Sequence, residues 1–153
     1  MKAAACACLM VTVLLNWPGA ILADASDAKD VQKHADSLRG TWTCVSAIAN
    51  GKPVPEAVRR ALRLELGRHT YRTYRNKTRL FDGTYVIHAA GGSPQIDITS
   101  VDEENKDKTA LGIYTLKGDT LKLCYAMPGQ ARPQKFESTS AGTSLTVWQR
   151  AKR

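Results

Sequence analysis

The chain has 153 residues, with 22 Lys and Arg against 14 Asp and Glu, which gives a formal net charge of +8. A hydrophobic fraction of 43% with 24% charged residues is ordinary for a globular protein and excludes a disordered or fibrous one. The length allows one domain with a sizeable core. The 11 Gly and 6 Pro show no repeat, which excludes collagen-like and low-complexity proteins.

The N-terminus has the layout of a secretory signal peptide. Lys2 is followed by the almost wholly apolar run of residues 3–15, and small residues at Ala23 and Ala25 then fit a cleavage site. We expect cleavage after Ala25, with cleavage after Ala23 as the alternative. The sequence therefore predicts an exported protein, periplasmic or extracellular. An uncleaved membrane anchor is the competing interpretation, which the shortness of the apolar run disfavours.

Removal of residues 1–25 keeps the net charge at +8, because the segment contains one base and one acid. Cys44 and Cys124 are then the remaining cysteines, and export would permit a disulfide between them. Strand parity argues against that bond, since Cys44 shares a face with Trp42 whereas Cys124 alternates against its apolar neighbours. Two separate packed thiols are the alternative.

The mature chain opens with a segment that differs from the rest. In residues 26–39 the apolar residues Val31, Ala35 and Leu38 lie at i, i+4 and i+7 of an otherwise charged stretch. We interpret this segment as a linker ending in a short helix that packs over one end of the domain, which itself spans residues 40–153.

From residue 40 the hydrophobic period changes to two. A first strand over 40–48 stops at the turn signal Asn50–Gly51, and a helix is predicted over 54–62 because its apolar residues recur at i, i+3, i+4, i+7 and i+8. Short strands separated by turns follow, one of the turns being Asp82–Gly83. About eight or nine strands without a βαβ rhythm predict an antiparallel barrel or sandwich. The later strands are expected at 62–66, 69–75, 84–87, 95–99, 109–116, 120–126, 134–138 and 144–150.

The first and last strands of the domain carry residues that resemble the signature of one kind of β-barrel. Gly40-Thr41-Trp42 at the start of the first strand and Arg150 at the end of the last resemble the lipocalin (calycin) signature, in which the guanidinium packs over the indole. The whole run 40–150 resembles a family of exported lipocalin-like domains of uncharacterised function that is abundant in planctomycete bacteria. Gln95 departs from the pattern, since the family usually has lysine there. The matching segments are 40–42, 50–55, 96–98, 111–114, 118–121, 123–125, 128–129, 132–133 with Phe136, and 145–150.

The resemblance implies an all-β fold with one short helix, a lipocalin-like antiparallel up-and-down β-barrel of about eight strands. It implies an export route but no activity. We find no phosphate loop, nucleophile elbow or zinc-protease motif, and the three histidines have no metal-ligand spacing. We therefore predict no enzyme, no metal and no cofactor.

Asp97 and Arg132 lie in the family-like segments, and Arg132 is expected near a barrel mouth. Two interpretations stay open: Arg132 anchors a ligand carboxylate, or Arg132 and Asp97 form a structural ion pair. Small barrels hold at most one small ligand. We accordingly predict a non-enzymatic binding protein for a small, mainly apolar molecule, with an acidic head group as an option. The candidate lining residues are Tyr71, Tyr85, Ile96, Ile98, Tyr114 and Tyr125, with Arg132 as candidate anchor.

The basic residues suggest the alternative function. Between residues 59 and 79 the chain has seven arginines and Lys77, which we call the basic flank. It could bind a polyanion or an envelope partner. Its alternation with apolar residues, and its dilution by Glu65 and Asp82, also fit the solvated face of a helix and strands. We predict no specific nucleic-acid target and no membrane span once the signal peptide is removed.

Overall fold

The structure of the protein, a computed structural model, describes residues 25–88 and 94–152. The predicted signal peptide lies outside these residues except for Ala25, the first residue of the N-terminal helix. The elements are α1 (Ala25–Leu38), β1 (Gly40–Ala49), β2 (Lys52–Pro53), α2 (Glu56–Arg60), β3 (Leu62–Leu66), β4 (Thr70–Arg75), β5 (Thr78–His88), β6 (Gln95–Ser100), a 3₁₀ turn (Glu103–Asn105), β7 (Thr109–Lys117), β8 (Thr120–Ala126) and β9 (Thr143–Arg150).

Eight of the strands close into one antiparallel barrel. From β3 to β9 each strand pairs with the next in sequence, and β1 closes the ring between β3 and β9. The two-residue strand β2 pairs with the far end of β1. A register shift between Cys44 and Ser46 bends β1 where it runs along β9. The predicted antiparallel up-and-down β-barrel of about eight strands is confirmed.

One end of the barrel is closed by α1. The segment interpreted as a linker or short helix is a helix of 14 residues. Ala35 and Leu38 are buried and Val31 packs against the core, so the apolar stripe faces the barrel as its spacing predicts. The indole Nε1 of Trp42 donates to Leu38 O at 3.0 Å and ties the end of the helix to β1.

The bounds of one helix and the position of one turn differ from the sequence-based prediction. The helix expected over 54–62 spans only Glu56–Arg60, because Val54 N donates to Ala47 O and Leu62 pairs with Arg75 as the start of β3. Asp82–Gly83 is not a turn, since β5 runs through it. The reversal before β5 lies at Asn76, whose φ of 55° suits a tight turn.

The prediction of a strand over residues 134–138 is also wrong. Residues 127–142 form one irregular loop between β8 and β9. The loop begins with a turn in which Gln130 N donates to Met127 O at 3.1 Å, next to Gly129 with a φ of 86°. It folds back along the outside of the barrel, where Cys124 Sγ donates to Glu137 O at 3.3 Å. The loop is therefore held at its start by its own turn and at Glu137 by a contact to β8, without joining the sheet.

Candidate functional site

The barrel contains a cavity of about 260 Å³. Its floor includes Leu38 of α1, and its other end is bordered by residues of the loops opposite that helix. Phe81 and Met127 stand at this end and are 50% and 48% exposed, so the cavity opens to solvent there. The wall is mainly apolar. Its aromatic residues are Tyr71, Phe81, Tyr85, Tyr114, Tyr125 and Trp148.

The sequence-predicted lining residues come together in this cavity. Tyr71, Tyr85, Ile96, Ile98, Tyr114 and Tyr125 all lie in its wall. Arg132 does not. Sequence reasoning missed several wall residues whose strand parity could have identified them, such as Leu64 on β3 and Trp148 on β9. It also missed Phe81 and Lys108 near the mouth, for which the alternation gives no clear signal.

The closed end is held by the Trp42–Arg150 contact. The guanidinium carbon of Arg150 lies 4.2 Å from the centre of the Trp42 ring, and Trp42 is fully buried. The same guanidinium donates to Ser37 O and Arg39 O at the end of α1, so it also satisfies helix carbonyls. A Cβ at Gly40 would lie 2.9 Å from Arg150 Nη1, and Gly40 has a φ of 135°, which explains the glycine.

Polar atoms in the closed half of the cavity are paired within the protein. Tyr85 Oη donates to Gly67 O at 2.8 Å, and Tyr114 Oη lies 3.2 Å from His34 Nδ1. The indole Nε1 of Trp148 donates to Thr146 Oγ1 at 2.8 Å. These hydroxyl and indole groups are already engaged, so this half offers a ligand mainly apolar contacts.

Ionisation of the cavity tyrosines should destabilise the protein. Burial, with a further contribution from Tyr85, raises the pKa of Tyr114 to about 12. Burial also raises the pKa of Tyr71, Tyr85 and Tyr125. In the unfolded chain these phenols ionise near pH 10, whereas in the folded protein they stay neutral to a higher pH. The stability present below pH 10 is therefore lost as the pH rises towards 12.

Tyr114 alone should account for about 2–3 kcal/mol of that loss. We expect the free energy of unfolding, measured with urea at pH 9 and pH 11.5, to fall less steeply in Tyr114→Phe than in the unchanged protein. Equal pH dependence in the two proteins would contradict the assignment. The variant lacks the contact to His34, so the comparison uses each protein's own value at pH 9 as its reference.

Arg132 is placed on the outside of the barrel, in an ion pair. Its Nη2 lies 2.5 Å from Asp97 Oδ1, and its Nη1 donates to Ile96 O and Gly112 O on β6 and β7. His88 Nε2 donates to the other oxygen of Asp97 at 2.9 Å. Burial alone would raise the pKa of Asp97, but the hydrogen bonds from Arg132 and His88 hold it below its usual range. Of the two interpretations of Arg132, the geometry is that of the structural ion pair.

Arg132→Ala should lower the free energy of unfolding by about 2–3 kcal/mol, because it leaves Asp97 Oδ1 without its donor and removes a donor from two strand carbonyls, whereas His88 still donates to Asp97 Oδ2. The matched control is Arg60→Ala, since the Arg60 and Glu56 side chains that form this pair are 74% and 60% exposed, and the substitution should cost under about 1 kcal/mol. Equal losses in both variants would contradict this account.

The ionised carboxylate of Asp97 also contributes to the free energy of unfolding. Because its pKa is lowered in the folded protein, this contribution is present above the ordinary pKa of the group and is lost on acidification below pH 4.

Cys44 and Cys124 are both buried free thiols. Cys44 pairs with Trp148, which lines the cavity, so Cys44 faces inwards. Cys124 pairs with Leu145, one residue out of phase with the inward Thr146, and therefore faces outwards under the loop 127–142. The two thiols thus lie on opposite faces of the sheet, and the disulfide considered from the sequence is not formed. Burial raises the pKa of both, which disfavours a reactive thiolate.

Acidic side chains are interspersed among the arginines of the basic flank. On the outer face Arg72 stands in register between Glu65 on β3 and Asp82 on β5. Arg63 also lies over the Tyr74 ring, 4.6 Å from its centre. This arrangement is that of a solvated face with interspersed charges. The ion pairs are Arg59 and Arg60 with Glu56, Arg63 with Glu65, and Arg79 with Asp82.

Within residues 25–88 and 94–152 no helix has the length and apolar character needed to cross a membrane. In the same ranges no three His, Cys, Asp or Glu side chains are grouped so as to hold a metal ion. Comparison of the chain with protein-family models, with curated proteins and with solved structures finds no match.

Proposed function

We propose that this protein is a non-enzymatic binding protein whose barrel cavity holds one small, mainly apolar molecule. The observation that carries the proposal is a cavity of about 260 Å³ with an aromatic and aliphatic wall and one open end. An apolar protein cavity of about 150 Å³ accommodates benzene, so this one has room for a molecule of about ten non-hydrogen atoms.

The sequence suggested Arg132 as the partner of an acidic head group of the ligand, but Arg132 does not line the cavity. Arg132 is engaged by Asp97 and by strand carbonyls outside the barrel. Among the described residues that line the cavity, Lys108 alone is charged, and its Nζ donates to Glu104 O at 3.3 Å near the mouth. The proposed ligand is accordingly apolar over most of its surface.

We propose further that the protein acts outside the cytoplasm after removal of residues 1–25. The layout of charged, apolar and small residues in that segment supports export. The mass of the protein recovered from the extracytoplasmic fraction should correspond to a chain beginning at Ser26. A mass of the full chain in that fraction would count against cleavage.

The binding function is tested by native mass spectrometry of the protein isolated from the cells that naturally produce it. We expect a one-to-one complex with a molecule of about ten non-hydrogen atoms, released by mild denaturation. The isolated protein is also titrated with a panel of compounds of this size. A ligand-free mass, together with no saturable binding of any compound in the panel, would overturn the proposal.

A further inference from the structure

The open end of the barrel carries exposed apolar side chains. Among the described residues five large apolar side chains are exposed, and three of them, Phe81, Val101 and Met127, lie at this end. Phe81 and Met127 border the cavity, and Val101 begins the loop after β6. The other two, Val45 and Val86, are single residues on the barrel wall. Apolar side chains grouped around one opening indicate an interaction surface.

Positive charge lies on one side of this surface. Strands β4 and β5 join through residues 75–79, which we call the basic turn, and which contain Arg75, Lys77 and Arg79 but no acid. Arg75 pairs with Leu62 of the cavity wall, so it lies at the rim on the inner face. Arg79 has an ion pair with Asp82, whereas the ion pairs of the described residues leave out Arg75 and Lys77.

Negative charge lies beside the basic turn. Strands β6 and β7 join through residues 101–108, which we call the acidic loop, and which contain four acids against two lysines. Asp102 Oδ2 accepts from Asp82 N at 3.4 Å, so the loop lies next to the strand that carries Phe81. The acids of the loop that form no ion pair within the described part of the chain are Glu103, Glu104 and Asp107.

From this arrangement we infer that the open end binds a second copy of this chain, in a two-fold pair whose cavity mouths face each other. In a two-fold contact both copies present the same surface, and each contact between two different parts of it occurs twice. The basic turn of one copy meets the acidic loop of the other, on both sides of an apolar centre at Phe81. The inference goes beyond ligand binding and requires no ligand.

The two signs of charge favour a second copy over other occupants. An anionic bilayer or a polyanion attracts the basic turn but is repelled by the acidic loop, and a cationic partner meets the reverse. A second copy offers both signs side by side around an apolar opening. In the pair the two mouths cover each other, which removes Phe81 and Met127 from water.

The first test is sedimentation velocity of the purified protein at low salt, at concentrations between about 1 and 500 μM. We expect the mass to rise from one chain to two, with a dissociation constant of about 10–100 μM, because one barrel rim is a small interface. The mass of a single chain at every concentration would overturn the inference. Growth beyond two chains would also overturn it, because a two-fold contact closes on itself.

The second test reverses the charges. The turn variant combines Arg75→Glu with Lys77→Glu, and the loop variant combines Glu103→Lys with Glu104→Lys. Alone, each variant opposes like charges across the contact, so its self-association should weaken at least about tenfold. An equal mixture should restore the pair, because the acidic turn and loop of one variant meet the basic loop and turn of the other. Each variant changes the net charge of +8 by four units and stays positive, so net charge does not explain the restored pair.

Matched controls locate the contact at the open end. Arg68→Glu with Lys117→Glu makes the same charge change as the turn variant, but on exposed turns at the closed end, and should leave the pair intact. Phe81→Ser should weaken the pair about tenfold, whereas Val86→Ser on the outer wall should not. All these side chains are exposed, and circular dichroism checks that each variant is folded.

A mixture that stays monomeric, or an equal loss in the closed-end control, would overturn the inference. Binding to anionic vesicles by a protein that stays monomeric would make a bilayer the occupant and would overturn it too. Titration with indole, an apolar probe of a size that the cavity admits, separates this inference from the ligand proposal. A pair that forms while indole does not bind supports the inference and contradicts the ligand proposal, and indole binding by a permanent monomer does the reverse.

Discussion

Trp42→Ala should lower the free energy of unfolding by about 3–5 kcal/mol, the largest stability loss that we expect of any single substitution in the barrel. Trp42 is fully buried at the closed end, where it pairs with Leu64 on β3 and with Arg150 on β9. Truncation leaves a cavity and also removes the ring beneath the Arg150 guanidinium. A domain of this size is stable by about 5–15 kcal/mol, so the loss is a large part of the total.

The loss is measured by urea unfolding followed by circular dichroism, with Val86→Ala on the exposed outer face of β5 as control. We expect the control to cost under about 0.5 kcal/mol. If Trp42→Ala proves too unstable to purify, Arg150→Lys gives a milder test. It keeps the charge but not the planar donor fork that reaches Ser37 O and Arg39 O, and should cost about 1–2 kcal/mol. A loss below 1 kcal/mol for Trp42→Ala would contradict the role of the closed end.

Ala110→Phe should weaken binding of any cavity ligand by about a hundredfold or more. Ala110 lies opposite Ile98 in the β6–β7 pair, and both face the cavity. A phenyl ring added at Ala110 occupies the space that the proposed ligand needs. Because that space is open, the ring fits without displacing the wall, and the unfolding free energy should change by less than about 1.5 kcal/mol.

Val86→Phe is the matched control for this substitution. Val86 lies on β5, two strands away from Ala110 on β7, and its side chain is 55% exposed on the outside of the barrel. The control adds an aromatic ring to the same sheet without entering the cavity, and should leave the dissociation constant of indole unchanged. If Ala110→Phe binds indole as tightly as the unchanged protein does, the ligand does not occupy the cavity.

Strand parity explains why so much of the cavity wall could be predicted. In a barrel whose strands alternate inward and outward residues, the apolar members of a pattern such as Ile96–Asp97–Ile98 must face the interior together. The six predicted lining residues obey this rule, and so do Leu64 and Trp148, which the prediction omitted. The contact of Arg150 with Trp42 could be predicted from a motif, because it joins the first and last strands, which a closed barrel brings together.

The errors have local physical causes. Asp82–Gly83 is a frequent turn dipeptide, but here Gly83 is needed inside a strand so that Tyr71 can lie across it. Leu62 fits both the helical spacing from Val54 and the alternation that leads to Leu66, and the sequence does not say which hydrogen bonds form. Arg132 was expected at a barrel mouth, yet its loop folds back so that it reaches Asp97, a contact 35 residues away in sequence.

The most direct test of the central claim, that the barrel cavity binds a small apolar molecule, is a titration of the isotope-labelled protein with indole followed by ¹H–¹⁵N correlation spectra. We predict saturable one-to-one shifts centred on wall residues such as Ile98, Ala110 and Tyr125, with Val86 on the outer face unaffected. An absence of saturable shifts, or shifts spread over the outside of the barrel, would contradict the claim.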